Sequence, residues 1–108
     1  MGKITFEDFQ KVELKIGKVL TCVPVENSDK LLKLGVDFGS EKRQIISGIA
    51  QFYDPKDVTN KEFVFVTNLE TRKIMGLESQ GMILAADAEG EAICLSPNKE
   101  VDPGTKIR

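Results

Sequence analysis

A chain of 108 residues, 41% hydrophobic and 30% charged, has the size and balance of one soluble domain, which excludes a disordered chain. With 15 Lys and Arg against 17 Asp and Glu, the net charge of −2 excludes indiscriminate nucleic-acid binding driven by excess positive charge. It leaves room for a local basic groove on an acidic body.

No apolar run approaches the roughly 18–20 residues of a membrane helix, and the opening "MGKITFEDFQ" lacks the apolar core of a signal peptide. Cys22 and Cys94 belong to no CxxC pair and are too few for zinc, so they read as reduced, partly buried thiols of a cytoplasmic protein. The absence of histidine removes the commonest general base. "GLESQG" lacks the Lys-Ser/Thr that would make its glycines a phosphate loop. The expectation is a protein without catalytic residues, metal or cofactor.

In chain order, Thr5 with Asp8 three positions on predicts a short capped helix over 5–10, with Phe6 and Phe9 on one face sealing an end of the core. Val12, Leu14 and Ile16 alternate with Glu13 and Lys15, so 11–25 reads as a strand. Gly17 interrupts it and predicts a bulge or bend, as when one strand serves two sheets. "ENSDK" is a turn. In 31–39, Leu32, Leu34, Val36 and Phe38 share one face of a second strand. "RQIISGIA", 43–50, is a third. Asp54 followed by Pro55 predicts a capped helical turn. "EFVFVTNL", 62–69, is the strongest strand, and a loop carries the chain to a fifth strand over 81–87. "AEGE" turns it into a hairpin partner at 92–95, and the polar 96–108 is extended. Short strands, a glycine bend in the first and a helical piece between the third and fourth fit an all-β fold. The specific expectation is a five-stranded OB-type Greek-key barrel with a short N-terminal helix and an added C-terminal strand segment.

The segments "SDKLLKLGVDFG", "RQIISGIA", "VTNLETRKIMGLESQGMILAAD" and "PGTKIR" resemble the tRNA-binding domain appended to methionyl-tRNA synthetases. The same domain type occurs as a free-standing tRNA-binding protein and in the endothelial-monocyte-activating polypeptide. The resemblance runs from "ITFEDF" to "GTKIR", and "NLxxRKIMGLESQGM" is long and specific. It implies one tRNA-binding OB domain over 1–108, binding tRNA by shape, with the catalytic part of a methionyl-tRNA synthetase as a partner. It also implies a homodimer, with about 91–108 as the dimerisation segment. The alternative is a dimeric, peptide-binding secretion chaperone of similar size and start. "SGIA" and "GLESQGM" favour the tRNA binders.

Under this resemblance, Lys30, Lys33 and Arg43 are expected to contact phosphates along the barrel groove. Arg72 and Lys73 are expected to form a phosphate clamp in the 67–82 loop, with exposed Met75 meeting an unstacked base. Ser79 and Gln80 are expected at ribose and base edges. Met82, half core, and Asn68, which also reads as a turn residue at a strand end, complete the candidate site. Ile74 and Leu77 would anchor the loop. With no tryptophan, one tyrosine and six phenylalanines in mostly core-facing patterns, little base–aromatic stacking is expected, which favours folded RNA read by shape.

Overall fold

The computed structural model describes residues 2–108. Helix α1 spans Phe6–Gln10 and helix α2 Pro55–Val58. The strands are β1 (Leu14–Pro24), β2 (Leu32–Asp37), β3 (Lys42–Ser47), β4 (Glu62–Val66), β5 (Arg72–Ile74), β6 (Leu77–Ser79), β7 (Met82–Ile83), β8 (Ala85–Ala88) and β9 (Glu91–Cys94). Five of them form one antiparallel sheet in the order β3-β2-β1-β4-β7. The sheet curls until its ends meet, where the Gln80 amide donates to the Gln44 carbonyl at 2.8 Å. The result is a nearly closed five-stranded barrel of the OB type with a short N-terminal helix, as the strand pattern predicts.

The apolar period carries the core. Leu32, Leu34, Val36 and Phe38 are all buried, as their alternation predicts, and meet Ile45, Phe63 and Phe65 from the neighbouring strands. The Phe38 and Phe65 rings pack edge to face with centroids 5.4 Å apart. Gly17 makes that possible: a Cβ there would stand 2.5 Å from Val36 and 2.7 Å from Phe38. The first strand does serve two partners, pairing with β4 through Leu14–Lys18 and with β2 through Lys18–Pro24. The register irregularity falls between Val19 and Thr21 rather than at Gly17. The glycine supplies room for two rings, and the bulge supplies the bend.

Both caps form as the sequence predicts. The Thr5 hydroxyl accepts from the Asp8 amide, and the Asp54 carboxylate accepts from the Lys56 amide ahead of Pro55. The expectation that α1 seals the core is corrected. No residue of α1 is buried, and Phe6 is 71% exposed. The helix stands off the barrel, held where the Asn68 amide group receives from the Glu13 amide (2.8 Å) and donates to the Lys11 carbonyl (2.6 Å). Phe6 and Phe9 instead line an open cavity of about 290 Å³ with Val12 and Ile107. With Phe52 also exposed, three of the six phenylalanines face solvent, more than their spacing implied.

The fifth strand also differs from expectation. The ladder with β4 covers Met82–Ile83, the Leu84 amide adds one bond to the Val64 carbonyl, and the chain then continues as β8 to pair with β9. Glu89 (φ 54°) and Gly90 (φ 91°) form the tight turn between them. The C-terminal segment returns along β1. The Ile16 amide donates to the Thr105 carbonyl and the Ile107 amide to the Leu14 carbonyl, each at 2.9 Å.

Candidate nucleic-acid interface

Period two sends every second residue of β2 outward. Lys33, Gly35 and Asp37 therefore stand on the outer face, each opposite a β3 residue: Ile46, Gln44 and Lys42. Thr21 completes the row from β1, opposite Gly35. The missing side chain at Gly35 forms the floor of a shallow groove, because a Cβ there would collide with the Thr21 hydroxyl. The groove has a volume of about 300 Å³, with Lys33 and Lys42 among its walls. This is the face on which OB barrels carry ligands.

The segment expected as a loop is a β-hairpin. β5 and β6 pair Arg72 with Ser79, Lys73 with Glu78 and Ile74 with Leu77. Met75 (φ 50°) and Gly76 (φ 80°) form its two-residue tip, the positive-φ pair that a type I′ turn requires. Strand geometry corrects the expected clamp of adjacent cations. Neighbours in a strand point to opposite faces, so Arg72 shares a face with Ser79 while Lys73 shares the other with Glu78. Ile74 and Leu77 are half-buried beneath the hairpin.

The hairpin is fastened to the edge of β3 largely through side chains. The buried Ser79 hydroxyl accepts from the Ile46 amide (3.0 Å) and donates to the Gly81 carbonyl (3.1 Å). The Gln80 side chain accepts from the Gln44 amide (3.0 Å), and the Gln44 side chain donates to the Glu78 carbonyl (2.8 Å). The Arg43 guanidinium donates to the Thr67 and Gln80 carbonyls, pairs with Glu41 and lies 5.8 Å over the Phe38 ring. Arg43, Ser79 and Gln80 thus hold the hairpin in place.

The remaining candidates divide by exposure. Lys30 is exposed in the turn before β2, its backbone carbonyl accepting from the Ala50 amide. Lys33 is half-buried in the groove wall. Met75 and Met82 are 58% and 45% exposed, at the hairpin tip and at the start of β7. Asn68 has its amide engaged with the chain entering β1. Beside it, the Thr67 hydroxyl donates to the Glu13 carboxylate at 2.6 Å and holds that carboxyl below its ordinary pKa. Thr21, Gly35, Lys42 and Gln44 join the candidate site only in the folded chain. The signal for Gly35 was present, one period from Lys33, but the others needed the register of three strands.

An outer groove on an OB barrel, flanked by cations and a hairpin rim, is the kind of surface on which OB modules bind oligonucleotides. The family model for a putative tRNA-binding domain matches residues 14–106, and the chain belongs to this family. It is similar to the methionine–tRNA ligase of Methanoregula boonei, 57% identical over 106 residues, covering 97% of this chain and 16% of that protein. The chain therefore spans about a sixth of the length of such relatives. Among solved structures it resembles a MetRS-related protein from Pyrococcus horikoshii at 36% identity, with a TM-score of 0.96 and all of both chains covered. It also resembles the chaperone CsaA from Bacillus anthracis at 29% identity, with a TM-score of 0.90 over 99% of this chain and 100% of that one.

Proposed function

We propose that this chain binds tRNA on the outer face of β1–β3 and the adjoining hairpin, recognising folded RNA by shape and phosphate geometry without catalysing a reaction. The observation that carries the reading is the glycine-floored groove between Lys33 and Lys42, on a chain whose family is defined by putative tRNA binding. Lys30, Lys33, Lys42 and Arg72 supply sequence-independent phosphate contacts. Met75 and Met82 offer pliable apolar contact. Arg43, Asn68, Ser79 and Gln80 act as positioning residues. Lys73 stands opposite Glu78, so its charge contributes less than that of Arg72.

The partners are tRNA and the catalytic part of a methionyl-tRNA synthetase, whose tRNA affinity the domain raises by holding the substrate close. The setting is the cytoplasm. No described helix is long and apolar enough to cross a membrane. A homodimer fits the exposed apolar residues of the C-terminal segment about 91–108, Ile93 and Leu95, with Ile4 (69%) and Phe6 (71%) at the N-terminal end as a lesser contribution. The Arg72→Ala/Lys73→Ala double variant tests the RNA reading. Weaker tRNA binding at unchanged melting temperature is expected, and parental affinity would sink the site. The Ile93→Asp/Leu95→Asp double variant, read by mass in solution, tests the dimer: monomer is expected, and an unchanged dimer would contradict the interface.

The likeness to CsaA, together with the exposed Phe6 and Phe9, favours one second reading, a peptide-binding chaperone. Competition between tRNA and an unfolded apolar peptide separates the two. Binding of tRNA that the peptide does not displace supports the first.

A further inference from the structure

The turn after β1 and the tip of the β5–β6 hairpin face each other across a cleft of about 430 Å³. That lies within the range of about 300–1,000 Å³ common for small-ligand sites. Pro24 and Val25 form one wall, Met75 and Leu77 the other, and Lys33 borders it from β2. Asn27 brings the amide that can both donate and accept.

Three observations converge on the kind of group it takes. Two of its residues hold left-handed backbone without being glycine: Asn27 at φ 65° and Met75 at φ 50°. Asparagine tolerates that conformation, but methionine has no local hydrogen bond to offset it, and turns of this type favour Asn, Asp or Gly there. Met75 is also 58% exposed, so it gives the core little burial in return. A strained, exposed, polarisable side chain at a cleft mouth points to a contact outside the fold. The charge balance is the second observation. Among the described residues, Lys33 and Glu26 are the cleft's charged walls, and they carry opposite signs. A phosphate site needs a cationic excess, whereas a neutral flat group with polar edges does not. The third is position. Lys33 lines both this cleft and the basic groove beyond it, so one ammonium stands between a neutral cavity and a cationic one.

We propose that this cleft receives a single unstacked nucleobase of the bound RNA. The base lies between Met75 with Leu77 and the Pro24–Val25 wall, its polar edge on Asn27, while its backbone phosphate meets Lys33. This rests on the tRNA-binding reading and adds to it a preference for RNA that displays one extruded base.

The test uses a stem-loop RNA with one bulged 2-aminopurine and the same stem fully paired, alongside total tRNA. The proteins are the parent, Met75→Gly and Asn27→Gly. Glycine suits positive φ, so both variants should fold, which melting temperature checks. The parent should bind the bulged RNA about tenfold more tightly than the paired one, in keeping with the energy of holding one base. The 2-aminopurine emission should change on binding. Met75→Gly should remove most of that preference, lowering affinity for the bulged RNA far more than for the paired stem, and Asn27→Gly should reduce it less. Binding of tRNA with no preference for the bulge, or a preference that survives Met75→Gly, overturns the base cleft alone. Failure of the parent to bind tRNA overturns the underlying reading and the cleft with it.

Discussion

The barrel and the hairpin are built by different means from the same chain. In the barrel, β1, β2, β3 and β4 are joined by backbone ladders, and the interior is filled by fully buried Leu32, Leu34, Val36, Ile45 and Phe65. The β5–β6 hairpin shares no ladder with the barrel. It is tied to β3 by the side chains of Arg43, Gln44, Ser79 and Gln80, with one backbone bond from Gln80. Backbone pairing tolerates sequence change but fixes geometry, whereas side-chain bonds make a short list of residues responsible for where the rim stands. Substitutions in the first region should therefore cost folding, and those in the second should cost binding.

The largest effects are expected in the core. Phe65→Ala removes the ring that packs on Phe38 and should cost about 3–5 kcal/mol. Gly17→Val should also destabilise, by about 1–3 kcal/mol or more, because its side chain would enter space held by Val36 and Phe38. Chemical denaturation checks both, and a core variant with parental stability would undo the packing argument. Ser79→Ala falls between the two regions. It leaves the buried Ile46 amide without its partner, at a cost of about 1–3 kcal/mol, and should loosen the hairpin, seen as faster hydrogen exchange over β5 and β6.

On the hairpin itself, single substitutions sharpen the division. Arg72→Ala should weaken tRNA binding about tenfold and lower the salt slope by about 1, while Lys73→Ala should do less because Glu78 stands opposite it. Equal effects from the two would restore a clamp of neighbours. The smallest effect is on acid stability. Thr67 donates to Glu13 and lowers its folded pKa, so the contribution is complete above the ordinary carboxylate pKa and is lost as pH falls through the lowered value. Thr67→Val should flatten that acid limb and leave neutral-pH binding unaltered.

Cys22 lies in the barrel core, and Cys94 of β9 packs half-buried against it. Burial raises the Cys22 pKa to about 11 and pushes Cys94 up as well. Both should resist alkylation at neutral pH until the chain unfolds, which mass spectrometry after brief iodoacetamide exposure checks.

The barrel was legible because burial there follows period two. Leu32, Leu34, Val36 and Phe38 announce their face, and Asp54-Pro55 and Thr5 announce their caps. The helix α1 misled because Phe6 and Phe9 have core spacing but no strand above them to cover them. The hairpin was hidden because its strands, Arg72–Ile74 and Leu77–Ser79, are three residues each, too short to show a period. A methionine at a turn position that favours Asn or Gly also masked the tip. Candidate residues were legible by type. Whether Arg43, Ser79 and Gln80 face solvent or hold the rim depended on a register that only the folded chain displays.

In the proposed function, the outer face and its rim bind folded RNA. The most direct measurement is a fluorescence-polarisation titration with total tRNA at low and moderate salt. Saturable binding that weakens steeply as salt rises is the predicted result. No saturable binding at low salt would contradict the account.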